Sequence, residues 1–235
     1  MLMSYITGSN ELDAVYSAVT KSQSRSIAIT SAYSQEGVTT LVLALARRIL
    51  LAGHSVLIVD FNTYRPAFHN MMALPTVKDN LLTPSLITDQ SQTLAITGVC
   101  IPESKSLRYK IKRADVLQET LEVWLGEYDF VLFDTTPVKH VNQQNISCLN
   151  VANVCDATII VVLSGQTSQN AVAELKKLLL NAGAKILGCV LNDKNYPTLK
   201  EEILRELGRI PNVCTWVKHG LTKIVKNNNF LKMDL

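Results

Sequence analysis

The sequence is notable first for what it lacks. No apolar run approaches the ~18 residues that a membrane span needs. The longest candidate, LVLALARRILLA, is broken by Arg47 and Arg48. The N-terminal stretch MLMSYITGSNELD has neither the basic nor the apolar block of a signal peptide. The five cysteines, at positions 100, 148, 155, 189 and 214, form no C-x-x-C pair, and several sit inside apolar runs. Reduced, buried thiols in a cytoplasmic protein are the expectation. The four histidines, at 54, 69, 140 and 219, show no metal-ligand spacing. Net charge is only +3, too small to mark a nucleic-acid protein by itself. There is no internal repeat and no low-complexity segment.

What is present is a chain of 235 residues with 47% hydrophobic and 18% charged residues, which suits one packed domain. Residues 194–235 hold eight Lys/Arg and four Asp/Glu, a surplus of four positive charges that leaves the rest at −1. A solvated helix face accounts for such a surplus. Binding of nucleic acid through this basic end is a second reading, and it would carry a steep salt dependence.

Short β-branched runs alternate with helical patterns. Strands are expected at Ser26–Ser31, Ser55–Asp60, Leu94–Ile101, Phe130–Asp134, Thr158–Leu163 and Lys185–Leu191. Helices are expected at Thr39–Ala52, Asp115–Leu125 and Asn170–Ala182, the first and last followed by Gly53 and Gly183 as stop signals. Residues 61–92, rich in Pro, Asn and Thr, read as a loop with a short helix. A further helix is expected around Thr198–Leu207. The stretch Cys214–Phe230 places Trp216, Val217, Leu221, Ile224 and Val225 on one side, an amphipathic pattern. It fits packing on the domain itself, or docking to a partner or an anionic membrane surface. Strands apolar throughout and separated by helices predict an α/β fold: a mostly parallel central sheet with helices on both faces. In such folds the functional loops lie at the carboxyl ends of the strands.

The loop after the first strand carries the chemistry. It reads TSAYSQEGVTTLVLALA from Thr30. A P-loop wraps phosphates with backbone N–H groups and leads into a helix N-terminus, whose dipole favours negative charge. Its lysine reaches the β- and γ-phosphates, and the next Ser/Thr holds Mg²⁺. Gly37, Thr39 and Thr40 occupy their places, but Val38 stands in the lysine slot.

These motifs resemble the bacterial tyrosine kinases of capsule and exopolysaccharide export, and more broadly the MinD/ParA group of P-loop ATPases. The kinase loop has the form T-S-A-x-P-G-E-G-K-S-T, against Thr30 to Thr40 here. The second motif, L-L-I-D-A-D-L-R-R-P-x-x-H, is similar to LIVDFNTYRPAFH from Leu57 to His69, with a leucine-proline pair at Leu74 and Pro75. The third, Y-D-x-V-I-I-D-T-P-P, is similar to YDFVLFDTTPV from Tyr128 to Val138. CDATIIVVLSGQT and ILGCVLN match two later patterns. The similarity covers about residues 10–193 of a single domain spanning 1–235, with 194–235 as a basic helical extension.

The resemblance implies a site for ATP or ADP with Mg²⁺. Gly37, Val38, Thr39 and Thr40 would line the phosphates, and Asn192 would lie near the adenine base. Thr39, Asp60 and Asp134 would hold Mg²⁺ and its water. The departures bear on activity. Val38 replaces the lysine, Gln35 a loop glycine, Asn62 the second aspartate and Tyr64 the first arginine, while Asp60, Arg65 and Pro66 remain. Tyr33 occupies the slot of the MinD group's signature lysine. A charge-assisted hydrogen bond contributes about 1.5–3 kcal/mol, so losing the lysine weakens binding about 10- to 150-fold. Asp60, Asp134 and Thr39 are then either remnants that cap strand and helix ends or a weak surviving Mg-nucleotide site.

The kinase family's C-terminal tyrosine cluster has no counterpart after Tyr196. Its N-terminal E-x-x-R-x-x-R helix corresponds to about Asp13–Val19, with Tyr16 and Val19 at the arginine positions. Kinase-type rings are therefore not expected, and a homodimer of another kind remains open. The implied role is a non-catalytic regulatory or scaffolding component of exopolysaccharide biosynthesis or secretion. It would bind a protein partner in the cytoplasm or at the inner membrane. A slow ATPase or kinase-like enzyme, with a cation from Arg65 or a dimer partner, is the alternative.

Overall fold

The computed structural model describes residues 10–62, 64, 66, 68, 85–88, 95–100, 104–141 and 145–194. The chain divides into two units, Met1–Asn192 and Asp193–Leu235, and the described residues lie in the first apart from Asp193 and Lys194. The helices expected around 198–207 and within 214–230 fall outside them, as do Arg65, His69, Leu74, Pro75 and Cys214.

The elements in order are α1 (Asn10–Lys21), β1 (Ser26–Ser31), α2 (Val38–Leu51), β2 (Val56–Phe61), β3 (Ser85–Thr88), β4 (Ala95–Cys100), α3 (Lys105–Ile111), α4 (Ala114–Glu127), β5 (Phe130–Thr135), a 3₁₀ turn (Val138–His140), α5 (Cys148–Val154), β6 (Ala157–Leu163), α6 (Gln169–Asn181) and β7 (Ile186–Asn192). The seven strands form one sheet in the order β3-β4-β2-β5-β1-β6-β7. Six strands are parallel, and β3 runs antiparallel to β4 at the edge.

Strand side chains alternate between two apolar layers, as a two-residue period requires. Ile27, Ile29, Ile58, Leu132, Ile159 and Val161 pack with Leu12 and Val19 of α1 and the buried face of α2. Ala28, Leu57, Val59, Val131, Phe133, Ile160 and Val162 pack on the other side with Leu117, Leu121 and Trp124 of α4, with α5, and with Leu175 and Leu179 of α6. Gly53 ends α2 at φ +85°, a conformation that suits a residue without a Cβ, and its N–H donates to the Leu50 carbonyl at 2.9 Å.

The topology fixes where a ligand would sit. The connection after β1 runs one way along the sheet to β2, and the connection after β5 runs the other way, past β1 to β6. A crevice outside the carboxyl ends of the strands lies where the direction reverses.

The six expected strands, and the helices expected at Thr39–Ala52, Asp115–Leu125 and Asn170–Ala182, are present with boundaries shifted by a residue or two. One expectation is corrected. Residues 61–92 contain a strand, β3, which pairs Ser85–Thr88 with Ala95–Gly98. Four residues following Pro84 carry too little local pattern, and an edge pairing depends on the partner strand. The short helices α3 and α5, seven residues each, also escaped the periodicity reading, since two turns barely repeat a pattern. Cys148 and Cys155 are buried and Cys100 is partly buried, but Cys189 is exposed. It lies on β7, whose central residues Gly188 and Cys189 are open to solvent, whereas β1, β2, β5 and β6 are buried throughout.

Candidate functional site: the loop between β1 and α2

The loop is held by a buried carboxylate. Glu36 accepts a hydrogen bond from the Ala32 N–H at 3.0 Å on Oε2, and the Thr167 hydroxyl donates to its Oε1. The Glu36 carbonyl in turn accepts from the Asn192 amide at 2.8 Å. One side chain therefore joins the start of the loop to the turn after β6, and the loop backbone is joined to the end of β7. Glu36 and Thr167 each lie within a motif that carries the resemblance, but their pairing across 131 positions has no local signal in the sequence.

The backbone keeps a left-handed path where glycine has been lost. Gln35 has φ +69° and Gly37 φ +104°. A side chain in the left-handed region costs about 1–2 kcal/mol. Gln35 is exposed, so its side chain recovers little of this by burial. Gln35→Gly is expected to stabilise the fold by about 1 kcal/mol, seen as a higher denaturation midpoint at unchanged m-value. An unchanged midpoint would mean that the Gln35 side chain makes compensating contacts.

Val38 opens α2 and is 6% exposed. It belongs to the apolar cluster that includes Leu41, Val42 and Val161. The position that resembles a phosphate-reaching lysine thus holds a core side chain. Thr39 faces the site: its hydroxyl donates to Asp134 Oδ2 at 2.6 Å. Thr40 is on the exposed side of the helix. Lys139 reaches the loop with its backbone, donating N–H to the Ala32 carbonyl at 3.2 Å, while its ammonium pairs with Glu174 at 2.6 Å.

Asp60 and Asp134 are register partners on β2 and β5, and both are fully buried. Each oxygen of Asp60 takes a backbone N–H, from Asn62 at 3.0 Å and from Phe68 at 3.1 Å. This carboxylate therefore shapes the segment that follows it. Burial, and then the charge of Asp60, hold the Asp134 carboxyl well above the ordinary range. Thr39 and Asn62 favour the charged form, yet Asp134 Oδ1 is buried without a hydrogen-bond partner among the described residues. Cys100 pairs in register with Asp60 on the other side, and burial with that charge pushes its thiol up to about 12, so no thiolate is available here.

The rim contains a feature that sequence reasoning missed. Tyr64, at the position of an arginine in the resembling motif, is 48% exposed and stacks on His140 with centroids 4.3 Å apart and planes at 21°. No local pattern links residues 76 positions apart. The structure gathers Gly37, Thr39, Asp60, Asp134 and Asn192 around the loop, turns Val38 into the core, and leaves Thr40 outward.

A mostly parallel sheet, a left-handed loop entering a helix, and a threonine bonded to an aspartate on a neighbouring strand define the fold of P-loop NTPases of the MinD type. MinD of Pyrococcus horikoshii OT3, complexed with Mg-ADP, has TM-score 0.52 at 18% identity over 74% of this chain and 72% of that chain. The kinase domain of the Escherichia coli tyrosine kinase ETK has TM-score 0.64 at 21% identity, covering 77% of this chain and 71% of that one. In sequence, the chain is 27% identical over 181 residues to the tyrosine-protein kinase YwqD of Bacillus subtilis (strain 168), covering 73% of each. No protein-family model matches the chain.

Mg²⁺ prefers hard oxygen donors and keeps part of its water shell. The Thr39 hydroxyl, Asp134 with its unpartnered buried oxygen, and the neighbouring Asp60 fit a hydrated Mg²⁺. The phosphate side of the loop offers backbone N–H groups and no cation from position 38.

Proposed function

We propose that this chain is a tyrosine-kinase-like P-loop protein that does not transfer phosphoryl groups. It acts through protein contacts in an exopolysaccharide or capsule assembly. Val38 carries the reading. It is a buried apolar residue where the resembling kinases have the lysine that reaches the β- and γ-phosphates. Phosphoryl transfer depends on cations that neutralise charge on the moving group, and a bound Mg²⁺ would supply only part of that. Asn62 removes a second carboxylate from the same site. The pathway and the partner rest on likeness to kinases such as YwqD, and the polysaccharide context is inferred from the same resemblance. Among the described residues no helix is long and apolar enough to cross a membrane.

A weak ATPase is the second reading, and the intact Thr39–Asp134 hydrogen bond favours it. Titration calorimetry with Mg·ATP separates the two. The non-catalytic reading predicts binding no tighter than about 100 μM, a standard free energy of about −5.5 kcal/mol, and no phosphate release. Micromolar affinity with steady turnover would sink it.

A further inference from the structure

Asn192 is the last residue of β7, and its side chain reaches back to the loop. The amide nitrogen donates to the Glu36 carbonyl at 2.8 Å. The same nitrogen lies 2.5 Å from where a Cβ on Gly37 would stand, so a side chain there would push the Asn192 amide aside, and the φ of +104° itself favours glycine. The backbone of Asn192 is fixed independently, since its carbonyl accepts from the Ser164 N–H at 2.8 Å.

A trans peptide holds its C=O and N–H on opposite sides. Anchoring the Glu36 carbonyl therefore sets the direction of the Gly37 N–H, away from Asn192. N–H groups of such a loop, together with the free N–H groups of the first helical turn, are what cradle an anion. We propose that Asn192 is a positioning residue: it orients the Glu36–Gly37 peptide so that the Gly37 N–H is available to a polyphosphate. This rests on reading the loop as a phosphate loop and goes beyond it. The resemblance alone puts Asn192 beside the adenine base, whereas here its amide acts on the loop backbone.

The test uses the full chain and the Asn192→Leu variant, which keeps size and removes the donor without adding a charge. Amide exchange and amide chemical shifts would be followed with and without Mg²⁺ and inorganic tripolyphosphate. The expected result is at least tenfold faster exchange at Ala32 and Leu41, whose N–H groups donate to Glu36 Oε2 and to the Gly37 carbonyl, each at 3.0 Å, together with a shifted Gly37 amide signal in the variant and unchanged exchange at β1 and β5. In the wild type, tripolyphosphate should shift the Gly37 amide signal, and in the variant this response should be lost. Unchanged loop exchange in the variant would overturn the positioning role. So would an equal tripolyphosphate response in both proteins. Faster exchange with no tripolyphosphate response in the wild type would overturn the anion half of the proposal. None of these outcomes depends on ATP turnover, by which the non-catalytic reading is judged.

Discussion

Replacing Val38 with lysine is expected to tighten Mg·ATP binding by about 10- to 150-fold, the value of one charge-assisted hydrogen bond. The variant should lose stability without ligand, because a buried valine leaves the cluster around Leu41, Val42 and Val161. That loss is expected at about 1 kcal/mol, since the lysine stem covers part of the vacated surface. Thermal unfolding would then cross over. The variant melts lower than the wild type alone and gains more from Mg·ATP, as a ligand that binds the folded state must produce. Turnover should remain slow, because Asn62 still stands where a second carboxylate is found in the resembling kinases. A wild type that already binds ATP tightly, with no gain from the lysine, would place the cation elsewhere in the molecule or in a dimer partner.

Asp134→Asn is expected to stabilise the protein at neutral pH by about 1–3 kcal/mol, the order of the desolvation penalty of one buried polar group, because the amide carries no charge to bury beside Asp60. The carboxyl of Asp134 is buried beside Asp60, and one of its oxygens has no hydrogen-bond partner among the described residues. An amide removes the like charge and can still accept from Thr39. The pH dependence follows from the direction of the shift. A carboxyl held above its ordinary value of 3.8 binds its proton more firmly in the folded state than in the unfolded one. It favours the fold on the acid side, and that contribution is lost as pH climbs from 3.8 through the raised value. The stability advantage of the asparagine variant should therefore widen as pH rises over this window. Parallel denaturant titrations at several pH values would read it. A constant or shrinking gap would mean that Asp134 is charged and compensated in the fold. Mg²⁺ that narrows the gap at neutral pH would indicate that the carboxylate retains its metal.

The sheet was legible because each strand from β1 to β6, the edge strand β3 excepted, is a compact apolar run and the main helices carry a strong 3.6-residue pattern. Gly37, Thr39, Asp60, Asp134 and Asn192, pointed to by the motifs and by the family they resemble, lie close together at the carboxyl ends of the strands. Four things were not legible. β3 depends on pairing with β4, and four residues cannot announce that. The clamp of Glu36 on Ala32 and Thr167 joins positions 131 apart, and the Tyr64–His140 stack joins two different loops. Nor could spacing say that position 38, once valine, would be absorbed into the core. In the fold Val38 is 6% exposed and shares an apolar cluster with Leu41, Val42 and Val161.

The most direct measurement is the nucleotide content of the purified full chain. The protein, purified in Mg²⁺, would be denatured and its supernatant resolved by chromatography. A site lacking an ammonium group at position 38 predicts no bound ATP or ADP. One nucleotide per chain, ATP or ADP, would contradict the account.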